Sequence, residues 1–489
     1  MGSVKIIDSA KPFGKSSACP VEAEPKNRER FEVATELVER AFDLIAVLAA
    51  TTLAYVSYDL LQMGKHVRYP STIVLLAASA FSVLFVIMMD HDGAYRRANS
   101  LLRIRETERI LRVTVHALGV VFLVTFIFSE TFSRWVVILA AVLVPLVVIL
   151  EKQLVFVLIR NLHSRGYGLR NVLVYGAGLT GRRVFSAIVR SPKLGMNPLA
   201  IVDDDERLEG EEVYEFGYRR DRSAQVIAGP LNKDLIRKLN ASLVIVGIPS
   251  VSQRRLKEIE AEVFAAGAHF AFVPQLSYSS ESSTDYVDID GVLIASMSLP
   301  QRKRLYEFVK QVFDAIVALG LMVFTLPLWV IITGLIRLDS KGPALFEQLR
   351  IGRGERPFRL YKFRTMILDA PKYGLHPTDA DDPRITRVGR WLRRTSLDEL
   401  PQLLNVLKGE MSLVGPRPEM PFIVERYNDY HRQRLQVIPG LTGLWQLSAD
   451  RAFLIHENIQ YDLYYIRNRN FFMDLAILLH TAVFAMKGI

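Results

Sequence analysis

Two adjacent acids, Asp398 and Glu399, lie in the last third of this 489-residue chain, and the stretches around them are rich in arginine and lysine. The basic residues fall in short motifs: Gln348-Leu-Arg350-Ile-Gly-Arg353, Tyr361-Lys362-Phe-Arg364-Thr-Met366, Asp381-Asp-Pro-Arg384-Ile-Thr-Arg387-Val-Gly-Arg390 and Gly415-Pro-Arg417-Pro418. Proline and glycine beside arginine hold a guanidinium on a stiff turn, which suits bidentate recognition of phosphate better than a solvated helix face does. The acid pair has two readings. Ser396-Leu-Asp-Glu399 spells a capping box, and acids in a first turn answer the helix dipole. With Ser396 as N-cap, however, Pro401 falls beyond the first turn and removes a backbone hydrogen bond, whereas a start nearer Asp398 accommodates it. Local spacing alone leaves a structural cap and a catalytic pair both open.

A second group of residues carries nucleotide chemistry. The run Asn171-Val-Leu-Val-Tyr175 reads as a strand leading into Gly176-Ala-Gly178-Leu-Thr-Gly181, and the next strand, Leu199 to Val202, ends in Asp203-Asp-Asp205. Glycines at that spacing let the backbone approach a pyrophosphate at a helix N-terminus, and Asp203 lies where a ribose-binding acid belongs. The same turn also serves plain packing. Further short runs, Ser242 to Val246 and His269 to Val273, alternate with helical stretches, the pattern of a parallel doubly wound sheet. Catalysis by such a domain would call for Tyr-x-x-x-Lys on one of its helices. The spacing occurs only at Tyr306 to Lys310, outside the sheet, so the domain is expected to bind, sense or scaffold.

The elements that must position these groups begin with four apolar runs, Ala41 to Met63, Ser71 to Met89, Val113 to Phe128 and Trp135 to Leu150. Each is near the ~20 residues that cross a bilayer, and together they leave no polar face for a water-soluble bundle. Asp43 and Asp59 weaken the first run, and the third is short. The first forty residues are polar, with seven Lys/Arg, and read as a tail. The segment Asp90 to Arg112 holds six arginines, so the positive-inside rule puts the N-terminus, and everything after about Ile159, in the cytoplasm. Half the residues are hydrophobic, the net charge is +10, and Cys19 is the single cysteine, which excludes an intrachain disulfide and a cysteine metal cluster. Residues 301–489 hold 27 Lys/Arg against 19 Asp/Glu, so most of the positive charge belongs there. Nucleic acid is set aside as the acidic partner, because no nucleic-acid fold signature accompanies these charges.

A fifth run, Ala315 to Ile336, has 22 residues without a formal charge between basic flanks. A straight crossing would move the basic C-terminal region outside, against the charge rule. Pro327 removes a donor near its middle, so a helix that enters, breaks at Leu326-Pro327 and returns to the same face, at about 308–338, is expected.

From about Arg302 to its end the chain resembles the catalytic domain of the monotopic polyprenyl-phosphate phosphoglycosyltransferases, the bacterial sugar transferases. The resemblance rests on Lys341-Gly-Pro343, Phe346-x-Gln348-x-Arg350-x-Gly352, Lys362-Phe-Arg-Thr-Met366, Asp382-Pro-Arg-Ile-Thr386, Thr395-Ser-Leu-Asp-Glu-Leu-Pro-Gln402, Asn405-Val-Leu-Lys-Gly409, Met411-Ser-Leu-Val-Gly-Pro-Arg-Pro418 and Pro439-Gly-Leu-Thr-Gly443. Four spans and a nucleotide-binding-like domain ahead of it make the chain similar to the large subclass. Small members often have Ser-Pro at the membrane break where this chain has Leu326-Pro327. The implied architecture is a membrane protein with a tail (1–40), a four-helix transmembrane domain (41–160), a Rossmann-like α/β cytoplasmic domain (161–300) and an α-rich monotopic catalytic domain with a re-entrant hairpin (301–489). The implied reaction moves hexose 1-phosphate, glucose or galactose, from a UDP-hexose to undecaprenyl phosphate with loss of UMP, at the cytoplasmic face of the bacterial inner membrane, opening exopolysaccharide or related glycan synthesis. By the resemblance, Asp398 carries the covalent phosphosugar, Glu399 serves the Mg2+ site, and Arg417 holds substrate phosphate. Arg393, Lys362, Arg364, Arg384 and Asp462 are the further substrate-binding expectations, Gly176, Gly178, Gly181 and Asp203 the nucleotide-binding ones. A homodimer is implied as well.

Overall fold

The computed structural model describes residues 28–64, 67–95, 103–127, 133–165, 167–190, 195–215, 222–273, 283–289, 292–298, 303–370, 382–447 and 459–486. Most of the polar tail, Cys19, Lys65, Arg96 and Arg97 lie outside them. Contacts divide the chain into two compact units. One comprises residues 1–41 and 152–274, the other residues 42–151 and 275–489.

Four helices open the chain: α1 (Arg28–Leu61), α2 (Ser71–His91), α3 (Arg103–Ile127) and α4 (Arg134–Ser164). Val47, Ala50 and Ala54 of α1, Phe81 and Phe85 of α2, Val113 and Ala117 of α3, and Val144 and Val148 of α4 share one core. Small residues on α1 let the helices approach closely, as packing inside lipid requires. Among the described residues, Val33–Leu61, Ser71–His91 and Arg134–His163 are long and apolar enough to cross a membrane, and α3 is not in that set. The third expected span occupies only the second half of α3, because the first half carries Arg105, Glu106, Glu108, Arg109 and Arg112. Asp43 is fully buried and accepts a hydrogen bond from Tyr95 Oη at 2.7 Å, so this acid belongs to the bundle interior.

The middle unit is a mixed six-stranded sheet. Its strands are β1 (Arg170–Tyr175), β2 (Met196–Asp203), β3 (Glu212–Glu215), β4 (Arg222–Ala228), β5 (Leu243–Val246) and β6 (His269–Phe272), in the order β3-β4-β2-β1-β5-β6. β4, β2, β1, β5 and β6 run parallel and β3 is an antiparallel edge. Helices α5 (Leu179–Arg190), α6 (Lys233–Lys238) and α7 (Gln253–Ala265) complete a Rossmann-like α/β unit. β1 is buried along most of its length, so its run of apolar residues matches a central strand covered on both faces.

After an antiparallel hairpin of β7 (Ser283–Ile289) and β8 (Val292–Ser298) comes α8 (Arg304–Asp339), a single 36-residue helix that contains Pro327. Helical assignment continues through the break expected at Leu326-Pro327, and Thr325 Oγ1 donates to Leu321 O at 2.7 Å just ahead of it. α8 is also apolar enough to span. Both ends of α8 are nevertheless buried in the same body, Asp314 and Ala318 near its start and Ile332 and Ile336 near its finish, while Phe324 between them is 83% exposed.

That body follows as β9 (Leu345–Ile351), β10 (Pro357–Phe363), α9 (Arg387–Thr395), α10 (Leu403–Leu407), β11 (Ser412–Val414), α11 (Pro421–Val424), α12 (Asp429–Arg432), β12 (Gly440–Thr442), α13 (Gln460–Asn468) and α14 (Phe471–Met486). β9 and β10 form an antiparallel hairpin, and β11 and β12 a short parallel pair. The expected α-rich domain therefore also holds two small sheets. Phe358, Leu360, Leu403, Leu413 and Val414 build its core with Met473, Ala476 and Ile477 of α14. α14 in turn lies on α3: Thr107 Oγ1 is 3.0 Å from His480 Nε2, and Asn470 Nδ2 donates to Glu108 Oε1 at 2.8 Å.

Candidate active site

Strand alternation places the first cation. Phe358 and Leu360 point into the core from β10, and Lys362 shares their face two residues on, so its ammonium turns inward at the rim of the body. Asn405 fixes that strand against α10: its Oδ1 accepts from Tyr361 N at 3.1 Å, and its Nδ2 donates to Arg359 O and Glu410 Oε2, both at 2.7 Å. Asn405 has no exposed surface and meets its hydrogen-bonding needs here.

Asp398 and Glu399 ride on a 3-10 turn, Leu397–Gln402, between α9 and α10, and Pro401 is tolerated inside it. Ser396 ends α9 with φ +55° and makes no side-chain cap, so the capping box does not form. A left-handed serine costs about 1–2 kcal/mol. It turns the chain sharply enough to deliver the two acids to Lys362. Lys362 Nζ lies 2.8 Å from Glu399 Oε1 and 3.9 Å from Asp398 Oδ2, and Arg417 Nη2 donates to the same Glu399 oxygen at 3.0 Å. Glu399 Oε2 has no hydrogen-bond partner among the described residues.

These contacts divide the two carboxyls. Burial alone raises Glu399, but the charges of Lys362 and Arg417 outweigh it and hold Glu399 below the ordinary glutamate range. Burial raises Asp398 above the aspartate range, Lys362 pulls it back, and the Glu399 charge adds to the rise. Glu399 also raises the Arg417 guanidinium. One acid is thus locked into an ion cluster, and its neighbour is a buried carboxyl with weaker electrostatic support.

Arg417 sits in a turn that the backbone pins. Gly415 N donates to Thr442 O at 2.9 Å and Gly440 N to Pro416 O at 2.8 Å, with the two glycines so close that a Cβ on Gly440 would lie 2.0 Å from Gly415 N. Two buried arginines then grip the turn from behind. Arg434 Nη2 donates to Arg417 O at 2.8 Å, and Arg350 Nη1 to Pro418 O at 3.2 Å. Arg434 also pairs with Asp462 Oδ2 at 2.8 Å and donates to Tyr427 Oη at 2.6 Å, and Glu419 lies within 3.8 Å of both arginines. Burial raises Asp462, partly offset by Arg434, and pushes Tyr427 up to about 12.

Of the expected site residues, the structure gathers Asp398, Glu399, Lys362 and Arg417. Arg393 is close: Asp398 partly offsets the lowering that burial imposes on its guanidinium, and its Nε donates to Thr365 Oγ1 at 3.2 Å. Three others do different work. Arg364 donates to Lys341 O, Ser340 O and Ser340 Oγ at 2.7–2.9 Å, fastening the C-terminal end of α8. Arg384 forks onto Asp382 within its own turn. Asp462 is buried and pairs with Arg434. Arg350, expected in a phosphate-binding motif, is buried scaffolding. Sequence reasoning assigned no role to Arg434 or Asn405. Nothing in Arg432-Gln-Arg434 separates the exposed arginine on Glu355 from the buried one.

In the middle unit, Asp203 turns back on its own glycine loop: Oδ2 accepts from Ala177 N at 2.6 Å and Oδ1 from Asp205 N at 2.9 Å. Gly181 packs against the loop carbonyl so tightly that a Cβ there would lie 1.7 Å from Gly176 O, and Arg182 Nε donates to Ala177 O at 2.7 Å. Packing thus accounts for Gly181, whereas a Cβ on Gly178 would meet open space, and both carboxylate oxygens of Asp203 accept from main-chain N–H groups. The Tyr306 to Lys310 spacing is also structural, because both side chains converge on Asp474 Oδ2, at 2.6 and 2.9 Å.

Comparison with known proteins places this geometry. The bacterial sugar transferase model matches residues 305–488, and a CoA-binding domain model matches residues 91–274. The undecaprenyl-phosphate galactose phosphotransferase of Salmonella typhimurium strain LT2 is 30% identical over 383 residues, 73% of this chain and 76% of that relative. The UDP-glucose:undecaprenyl-phosphate glucose-1-phosphate transferase of Klebsiella pneumoniae is 28% identical over 65% of this chain and 68% of its own length. An N-acetylgalactosaminephosphotransferase of Aeromonas hydrophila acting on undecaprenyl phosphate is 35% identical over 47% of this chain and 56% of its own length. With its acid pair, pinned arginine turn and apolar helices accounted for along most of its length, the chain belongs to the bacterial sugar transferase family, as a polyprenyl-phosphate hexose-1-phosphate transferase.

Proposed function

We propose that the protein transfers glucose 1-phosphate or galactose 1-phosphate from a UDP-hexose to undecaprenyl phosphate through a covalent phosphosugar on Asp398, as the first membrane step of exopolysaccharide or related glycan synthesis. The observation that carries this reading is the division of labour in the acid pair: Lys362 and Arg417 both engage Glu399 Oε1, and Asp398 is left as the carboxylate able to attack. An oxygen of Asp398 bonds to the phosphorus that bears the sugar, and the bond to the bridging oxygen breaks. UMP departs with that electron pair. A phosphate oxygen of the lipid then attacks the same phosphorus and displaces Asp398, giving the polyprenyl diphosphate sugar and the free carboxylate. Lys362 and Arg417 move from Glu399 onto the diphosphate, and the Arg393 guanidinium adds positive charge near Asp398.

Mg2+ fits this donor set. No cluster of three or more metal-ligating side chains exists among the described residues, and Mg2+ commonly takes one or two carboxylates and completes its shell with water and substrate phosphate. Glu399 Oε2, beside Asp398, would hold it, and the ion would neutralise diphosphate charge as UMP leaves.

The site faces the cytoplasm of the inner membrane in this reading, because both ends of α8 are held by one polar body while its middle is apolar and exposed. Such a helix dips into the bilayer and does not carry the catalytic body across it. Single cysteines placed between Lys341 and Leu345 are expected to stay unlabelled by impermeant reagents in intact cells, and labelling from outside would establish a true crossing. The chemistry has its own test. Purified full-length protein with Mg2+, radiolabelled UDP-glucose or UDP-galactose and undecaprenyl phosphate should move label into lipid. Without the lipid, labelled UMP should exchange into UDP-sugar. Transfer without that exchange would overturn the covalent step.

A further inference from the structure

A cavity of about 300 Å³ opens beside the first turns of α8, at the small end of the range for ligand pockets. It is separate from the site above, since Asp398, Glu399, Lys362 and Arg417 are all absent from its wall. Val406, Leu407, Met411, Val437 and Ile438 line it, and the wall also includes four cations, Lys310, Arg353, Lys408 and Arg469, against two carboxylates, Glu307 and Asp314. Glu307 is shared by Arg353 at 3.5 Å and Arg469 at 2.7 Å, while Lys408 lies over the ring of Tyr361. Inside, Lys310 Nζ, Tyr306 Oη and Tyr465 Oη meet on Asp474, and Ser412 Oγ donates to Asp314 Oδ2 at 2.6 Å, so the polar groups of the floor are held in place.

The combination of an apolar wall and a net positive charge selects an anionic amphiphile over a free nucleotide or a neutral sugar. The level of the cavity points the same way. The part of its wall that α8 supplies runs from Tyr306 to Ala315, and the charge-free stretch of α8 starts at Ala315. If α8 enters the bilayer there, as in the reading above on which this inference rests, the cavity opens where lipid head groups lie.

We propose that this cavity is a binding site for an anionic phospholipid of the surrounding bilayer, its phosphate met by Arg353, Lys408 and Arg469 and its upper chain segment by Val406, Leu407 and Val437. The bound lipid would seat the start of α8 against β11, the strand that leads into Gly415-Pro416-Arg417. It is not the reacting acceptor, because neither acid of the pair, nor Lys362, nor Arg417 reaches the cavity wall.

The test uses full-length protein in lipid nanodiscs with phosphatidylglycerol carrying a photoreactive group near its head. Adducts are expected on residues 406–415 or 437–438, competed by plain phosphatidylglycerol but not by phosphatidylcholine, and reduced about tenfold or more in Arg353→Gln/Lys408→Gln. Absence of adducts in this wall, adducts indifferent to the double variant, or displacement by undecaprenyl phosphate as readily as by phosphatidylglycerol would overturn the proposal. A photoprobe at the end of the acyl chain should label residues 319–331 of α8 in the same preparation. Loss of that label would mean that the membrane reading has failed, which is a different result from an empty cavity in a properly inserted protein.

Discussion

Asp398→Asn is expected to abolish both sugar phosphate transfer and UMP exchange, lowering kcat by at least about 10³-fold, while thermal stability holds or rises. The second half of that result follows from the raised Asp398 carboxyl. A folded-state pKa above the unfolded value means that the native state loses stability as pH rises through the gap, so a neutral isostere relieves the fold at neutral pH. A variant that lost activity together with stability would point to a structural acid instead. The attacking form is the carboxylate, so kcat/KM should rise with pH along a limb displaced above the ordinary aspartate range. Lys362→Met should move that limb further up, because Lys362 is the largest influence lowering Asp398. It should also lower kcat/KM by roughly 10²-fold through loss of a phosphate partner. A limb that stays in place in Lys362→Met would separate the limb from Asp398.

The second large effect is predicted for Arg434, which touches no substrate group. Arg434→Met should destabilise the protein by about 3–5 kcal/mol, because it leaves Asp462 charged and buried without its partner. Arg434→Met/Asp462→Leu replaces the pair by apolar groups and should recover most of that stability, as measured by thermal unfolding. Activity should not recover with it. The carbonyl of Arg417 has still lost its donor, and a small displacement of a positioned guanidinium costs ~10²-fold in rate. Full activity in the stable double variant would reduce Arg434 to packing. Arg434→Lys, which keeps the charge but cannot bond Asp462, Tyr427 and Arg417 at once, should fall between the two.

Much of the site was legible before the fold was known, and the reason differs from residue to residue. Asp398 and Glu399 stood out as adjacent acids among basic motifs, although local spacing left a cap and a catalytic pair both open, and the structure gives them a 3-10 turn after a left-handed Ser396. Arg417 stood out because prolines flank it. Arg364 and Arg350 carried the same local signal and bond main-chain carbonyls, and Arg384 bonds the carboxylate of its neighbour Asp382, since one guanidinium can grip a phosphate, a carbonyl or a carboxylate with the same fork. Which it grips depends on chain brought in from far away: Ser340 for Arg364, Pro418 for Arg350, Asp462 for Arg434. Four strands of the middle unit, β1, β2, β5 and the edge strand β6, were readable from their apolar runs, whereas β3 and β4 were not. The β9–β10 hairpin was not, because Phe358, Leu360 and Lys362 share one face and the charged end of that alternation looks like a polar surface. For the membrane segments, length and hydropathy sufficed for α1, α2, α4 and α8, but the polar half of α3 reflects its packing against α14 rather than its depth in lipid.

That packing also sets the order in which the molecule can be finished. Thr107 waits for His480, 373 residues later, and Glu108 for Asn470, 362 residues later. During synthesis the helical bundle emerges long before α14, and α3 must stand with the apolar surface around Ile104 uncovered until α14 leaves the ribosome. Contacts so distant along the chain form late and slowly. Assembly of the catalytic body therefore includes a late docking event, made by α14 onto a helix synthesised 362 residues earlier.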